Sequence, residues 1–165
     1  MIIGCWVILG LMVVAAIFAP AIAPHDIRTQ SLLQRLQPPS VMGGSPDHLL
    51  GTDQLGRDVL SRSLFALRTT LAIAAIGTMI GMLLGVTLGV LSGMIGGWFD
   101  DLIMFLVDVQ MSLPFVLVAL TVIALLDTSL LVLVLVVGVA GWEIHARVVR
   151  GQVLAVKELP FVEAT

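Results

Sequence analysis

Charge is absent from four stretches of this chain: residues 1–25 with histidine neutral, 69–99, 109–126 and 128–142. The last three run for 31, 18 and 15 residues. A helix crossing a bilayer needs about 20 apolar residues at about 1.5 Å rise each. The pattern therefore predicts four spans, at residues 2–23, 69–93, 102–126 and 129–146. Asp108 falls within the first two turns of the third span, and the fourth is the shortest. The one long polar stretch, residues 24–68, carries Pro24, Pro38, Pro39 and Pro46 with Gly43, Gly44, Gly51 and Gly56. Proline and glycine at that density punctuate a loop outside the membrane.

Two patterns refine this outline. In residues 48–62, Thr52 or Asp53 is placed to cap a short helix. Val59, Leu60, Leu64 and Leu67 then share one face, with Asp58 and Arg62 as an i, i+4 pair opposite. That reads as an interfacial amphipathic helix leading into the second span, beside the plainer reading of a loop returning the chain to the membrane. Within the second span, Gly77, Gly81, Gly85, Gly89 and Gly93 recur at every fourth position. Glycine at that spacing lets another helix approach to backbone contact. The partner is either another span of this chain or a second subunit.

Composition supports the membrane reading. Hydrophobic residues make up 59% and charged residues 12%, against roughly 45–50% and ~25% in soluble globular chains. The mean hydropathy is +1.12. A chain of 165 residues buries only about two-thirds of its surface on folding, too little to hide so much apolar area. A soluble monomer and a disordered chain are both excluded. The net charge of −3, from 11 acidic and 8 basic residues, offers no basic patch for nucleic acid. With Cys5 as the sole cysteine, no internal disulfide framework exists.

The first span resembles a secretory signal peptide in its Ala21-Ile22-Ala23 tripeptide. Against cleavage, no Lys or Arg precedes the apolar run, and the run exceeds the 7–15 residues of an h-region. Sidedness is less clear. Four spans put Arg147, Arg150 and Lys157 on one side, and Arg28, Arg35, Arg57, Arg62 and Arg68 on the other. The positive-inside rule taken alone would place the long loop in the cytoplasm. Asp26, Asp47, Asp53 and Asp58 offset that loop's charge, so composition leaves orientation open.

Catalytic patterns are missing. A phosphate-cradling loop requires G-x-x-x-x-G-K-[ST], whereas the only lysine, Lys157, stands between Val156 and Glu158. His25, His48 and His145 have no metal-ligand spacing along the chain, and no G-x-S-x-G elbow is present. Asp108 and Asp127 are about 28 Å apart along a helix and cannot share a proton.

Several segments, taken in order, carry a resemblance. They are residues 18–24 (Phe-Ala-Pro-Ala-Ile-Ala-Pro), 50–62 (Leu-Gly-Thr-Asp-Gln-Leu-Gly-Arg-Asp-Val-Leu-Ser-Arg) and 96–100 (Gly-Gly-Trp-Phe-Asp). Asp108 with Pro114, residues 147–152 (Arg-Val-Val-Arg-Gly-Gln), Lys157-Glu158 and residues 161–165 (Phe-Val-Glu-Ala-Thr) complete the series. Together they resemble the C-type permease subunit of ATP-binding-cassette importers for dipeptides, oligopeptides and nickel. The match to the signature loop, with Gly51, Thr52, Asp53, Gly56, Arg57 and Asp58, is the most specific. Two departures stand out: Phe105 occupies a position where the family usually has Arg, and Thr165 replaces the second alanine of the E-A-A coupling motif.

The resemblance implies an all-α, polytopic membrane protein, with four spans here of a six-span permease fold, and a chain ending inside the coupling motif. Residues 1–23 would be the first span, 24–68 the external loop, and 69–165 the N-terminal part of the permease domain. It further implies a bacterial or archaeal cytoplasmic membrane, with the N-terminus and C-terminal tail cytoplasmic. A second permease subunit, two cytoplasmic ATPases and an extracytoplasmic substrate-binding protein would be partners. ATP and magnesium would bind the ATPases, with no cofactor and no catalysis in this chain. Lys157, Glu158, Phe161, Glu163, Ala164 and Thr165 would open the helix that contacts an ATPase. The alternatives are a fragment of an ion-gradient-driven transporter, for which Asp108 is the one candidate carboxylate near the membrane interior, and a membrane anchor without transport.

A last expectation follows from hairpin arithmetic. Asp127-Thr128 is the polar break between the third and fourth spans, and Asp108 and Arg147 each lie 19.5 positions from its centre. Equal rise on two antiparallel helices brings them to one depth, where they would pair. The competing expectation is that Asp108 reaches interfacial water or a partner subunit.

Overall fold

The computed structural model describes residues 2–126 and 129–159. It is helical throughout its ordered elements and divides into two compact units, Met1–Ala72 and Ile73–Thr165. The first unit unites the first span and the long loop, which the sequence divided at residue 23.

In the first unit, α1 (Ile2–Ile17) is followed by α2 (Ala19–Ile22), with Phe18 between them. The break comes where Pro20 enters the first turn of α2, because proline has no N–H to continue the ladder of α1. The predicted span of residues 2–23 is thus two helices. Single 3-10 turns at Leu32–Gln34 and Ser40–Met42 interrupt the loop that follows.

The next helix, α3 (Val59–Ile95), is continuous for 37 residues. This corrects the expectation of a separate short amphipathic helix before the second span. That helix and the span are one, since nothing between Val59 and Ile95 removes an N–H or forces a turn.

In the second unit, the chain leaves α3 through Gly96 and Gly97, at φ 68° and 59°, a backbone region that glycine adopts without strain. It then forms α4 (Gly97–Ser112), α5 (Phe115–Leu126), α6 (Leu130–Val139) and α7 (Trp142–Lys157). The predicted third span is not straight. It bends by 89° between α4 and α5, where Leu113 is extended and Pro114 cannot donate to the preceding turn. The fourth span runs further than expected, as α6 and α7 together reach Lys157. Ser129 caps α6 by accepting the Val132 N–H at 3.2 Å. The expected turn at Asp127-Thr128 lies outside the described residues.

Two helical stretches, Val59–Ile95 and Leu130–Lys157, are each long and apolar enough to cross a membrane, and the bent pair α4–α5 makes a third if taken as one span. α4 packs on α7 and α5 on α6. Ile103 and Val107 of α4 meet Trp142 and Ala146 of α7 to form the buried core, flanked by Leu88, Phe99 and Met104.

Candidate functional site

The signature loop is organised by two carboxylates. Asp53 Oδ1 accepts the backbone N–H of Leu55 at 2.8 Å and of Arg57 at 3.0 Å. Its Oδ2 accepts Arg57 Nε–H at 2.9 Å and a hydrogen bond from the Arg62 guanidinium. The Arg57 backbone N–H does most to lower the Asp53 pKa, from 3.8 to about 2; burial opposes it, and the Leu55 N–H and the Arg57 side chain assist. Arg62 therefore pairs with Asp53, not with the Asp58 one turn before it.

Asp58 has a different task. Its Oδ2 accepts the Ser61 N–H at 2.8 Å and caps the first turn of α3, so neither Thr52 nor Asp53 is the cap. Its Oδ1 lies 3.0 Å from His48 Nδ1. Burial would raise the Asp58 pKa, but hydrogen bonds from the Ser61 N–H and hydroxyl and from His48 outweigh it, and the carboxyl titrates below its ordinary value. Thr52 and Asp58 form an isolated antiparallel bridge. Thr52 Oγ1 accepts the Gln37 N–H at 2.9 Å and donates to the Gln34 carbonyl.

Gly51 and Gly56 are required twice over. Both have positive φ, 77° and 71°, and a Cβ on either would collide with backbone, that of Gln37 and Ser31 respectively. The signature is thus a tightly pinned turn at the base of α3. The fold also brings together two histidines that the spacing kept apart. The His25 and His48 rings lie 4.8 Å apart, with the Asp58 carboxylate beside them.

In the second unit the glycine stripe faces helices of this same chain. A Cβ at Gly77 would stand 2.7 Å from Val137 Cγ1, at Gly81 2.8 Å from the Gly138 carbonyl oxygen, at Gly89 2.6 Å from the Ala146 carbonyl oxygen, and at Gly93 2.8 Å from Val153 Cγ1. One at Gly85 would meet the Trp142 carbonyl and the His145 Cβ. From Gly77 to Gly93, α3 packs closely on α6 and α7, against backbone at Gly81, Gly85 and Gly89 and against valine side chains at its two ends.

Three polar contacts tie this bundle together. Arg150 donates two hydrogen bonds of 2.5 Å to Asp100, which also accepts from the Ser92 hydroxyl. Arg147 Nη2 donates to Asp108 Oδ1 at 2.5 Å, so these two side chains meet, with 47% and 70% of their surface exposed. The hairpin arithmetic that paired them assumed straight helices. What brings them together is the packing of α4 on α7, below the bend. Lys157 Nζ lies 3.0 Å from the carbonyl oxygens of both Gly93 and Met94. It is the last residue of α7 and caps the end of α3. Glu158 follows at the helix end, whereas Phe161, Glu163, Ala164 and Thr165 lie outside the described residues.

A polar trio was missed from the sequence. Gln110 Nε2 donates to Glu143 Oε2 at 3.0 Å and to the Val139 carbonyl at 2.8 Å, and Trp142 Nε1 donates to Gln110 Oε1 at 2.7 Å. The trio edges an otherwise apolar cleft of about 680 Å³ lined by residues such as Leu106, Phe115 and Val136. Glu143 falls inside the predicted fourth span, so Asp108 is not the sole carboxylate there. The signal available was a charged residue following directly on an uncharged run of 15 residues.

These features define an all-α, multi-pass membrane protein built on closely packed helices. Residues 85–165 match the family model of the binding-protein-dependent transport system inner membrane component. Residues 2–39 match that of the N-terminal transmembrane domain of oligopeptide transport permease C. The chain belongs to this family of transport-system permease components. It is 36% identical over 162 residues to the dipeptide transport system permease protein DppC of Bacillus subtilis (strain 168), a match covering 98% of this chain and 49% of that protein. Identity to the oligopeptide transport system permease protein OppC of the same organism is 34% over 159 residues, covering 96% and 50%. Identity to the glutathione transport system permease protein GsiD of Shigella flexneri serotype 5b is 41% over 154 residues, covering 93% and 50%. The chain spans about half the length of the curated relatives it matches.

Proposed function

We propose that this chain forms part of the transmembrane pathway of an ATP-binding-cassette importer for di- or oligopeptides. The observation that carries the reading is the match of 93–98% of the chain to permeases named for dipeptide, oligopeptide and glutathione transport. In this reading a second permease subunit completes the pathway, two cytoplasmic ATPases bind ATP and magnesium, and an extracytoplasmic protein delivers the solute. Catalysis belongs to those ATPases. The loop of residues 24–68 faces outward, and the tail after α7 is cytoplasmic, where Lys157, Glu158 and the residues beyond them lead to an ATPase surface. Capping of α3 by Lys157 supports this use of the tail, because it links the end of α7 to the glycine-packed helix. Motion at the ATPase would thereby reach the membrane helices.

The test is Ala164→Arg in the protein that carries this chain. Peptide uptake is expected to fall to background while ATP hydrolysis and membrane insertion persist. Unchanged uptake would overturn the coupling role. Uptake that survives loss of the ATPase phosphate-loop lysine but collapses with a protonophore would replace the importer with a gradient-driven transporter.

A further inference from the structure

We propose that His25, His48 and Asp58 form a binding site for one divalent transition-metal ion of the zinc, cobalt and nickel class, which clamps the start of the external loop to the base of α3. Each of the three side chains offers a ligand atom, and these atoms all lie within 4.8 Å of one another. His48 and Asp58 are buried, at 6% and 3% exposure. Their closest atoms, 3.0 Å apart, are at the separation of two neighbouring ligands held about 2.0–2.2 Å from one ion. Two imidazoles and one carboxylate make a donor set that suits these ions and disfavours magnesium or calcium, which take oxygen ligands.

The surroundings are arranged as a metal site needs. Asp58 divides its labour: Oδ2 is engaged by the Ser61 N–H, leaving Oδ1 to face the histidines. Ser61 also positions His25, by accepting its backbone N–H at 3.1 Å. The remaining observation is an orphan: His25 Nδ1 is buried and has no hydrogen-bond partner among the described residues. A buried imidazole nitrogen left unpaired is costly unless something occupies the space before it. His25, His48 and Asp58 together line a cavity of about 140 Å³, several times the roughly 30 Å³ of one water. Asp26, Asp47 and Gln34 line it beside the three ligands, with no lysine or arginine. Two neutral histidines and one carboxylate leave a divalent ion with one positive charge, which the neighbouring aspartates complement. Gln34 Oε1 lies 3.4 Å from His48 Nε2, on the side of the ring opposite Nδ1. The ion would stiffen the turn whose backbone the signature residues already pin.

The test is equilibrium binding of Co²⁺ to the full-length chelator-treated protein in detergent, read by metal analysis and by the visible d–d absorption of the bound ion. One Co²⁺ per chain is expected, displaced by Zn²⁺ and unaffected by millimolar Mg²⁺ or Ca²⁺. His25→Gln and His48→Gln should each weaken binding by at least about 100-fold, while Cys5→Ser and His145→Gln bind as wild type. Because His25 Nδ1 has no hydrogen-bond partner among the described residues, His25→Gln should melt near the wild-type temperature without metal and lose the Zn²⁺-dependent rise in Tm. Failure to bind stoichiometric Co²⁺ would mean a water-filled cavity and overturn the proposal. So would binding that survives His25→Gln, or binding abolished by Cys5→Ser.

Discussion

Arg150 grips Asp100 through both guanidinium and carboxylate edges, with two hydrogen bonds of 2.5 Å. The pair joins α7 to the first turn of α4, where the Asp100 charge also complements the positive end of the helix dipole. Its side chains are 30% and 13% exposed, so it is neither a free surface pair nor a fully buried one. Removing one partner strands the other: Asp100→Asn or Arg150→Gln alone should each destabilise the bundle by about 1–3 kcal/mol. The double substitution should cost less than the sum. Thermal unfolding in detergent across the cycle measures this, and simple additivity would mean that the two groups do not interact.

Asp108 and Arg147 should behave differently although they also touch. With 70% and 47% of those side chains exposed, the coupling in a double-mutant cycle of Asp108→Asn and Arg147→Gln is expected to stay below about 1 kcal/mol. A coupling above that of Asp100 and Arg150 would show that the pair is buried by lipid or by a partner.

The glycine stripe sets a steric rule. Gly85→Val and Gly89→Leu should each destabilise by about 1–3 kcal/mol or more, since the atoms they meet are mostly backbone that cannot swing aside. Gly151, whose Cβ would meet nothing within 4 Å, tolerates alanine and gains from the change, because alanine favours a helix interior over glycine. Melting temperatures of the three variants order the effects; equal tolerance at 85 and 151 would contradict the packing.

The loop should be sensitive to acid through Asp53. Its folded pKa is lowered, from 3.8 to about 2, so its stabilising contribution is fully present above the unfolded value and is lost as pH falls through the folded value. Limited proteolysis of the loop by an acid-active protease should therefore accelerate between about pH 4 and pH 2. Asp53→Asn should cleave rapidly across the whole range and lose that component of the pH dependence.

Much of this architecture was legible in the residues. Uncharged runs of bilayer length can satisfy their backbone only as helices in a membrane, so the helical, multi-pass class followed directly. Glycine at every fourth position marked one face of α3 as a close-contact surface, because helical periodicity is a local property of the chain. The pattern did not reveal the partner, which the fold identifies as α6 and α7 of the same chain. The third span was read as one helix; Pro114 stands where it breaks, and the bend of 89° was not foreseen. An i, i+4 rule assigned Arg62 to Asp58, yet the turn at Gly56 carries Asp53 back towards Arg62 and leaves Asp58 to cap α3. His25 and His48, and Gln110 and Glu143, were separated in the sequence by distances that carry no periodic signal. Spacing rules see neighbours along one element, whereas these groups meet only after the chain has turned in space. Tertiary structure alone brought His25, His48 and Asp58 around one cavity.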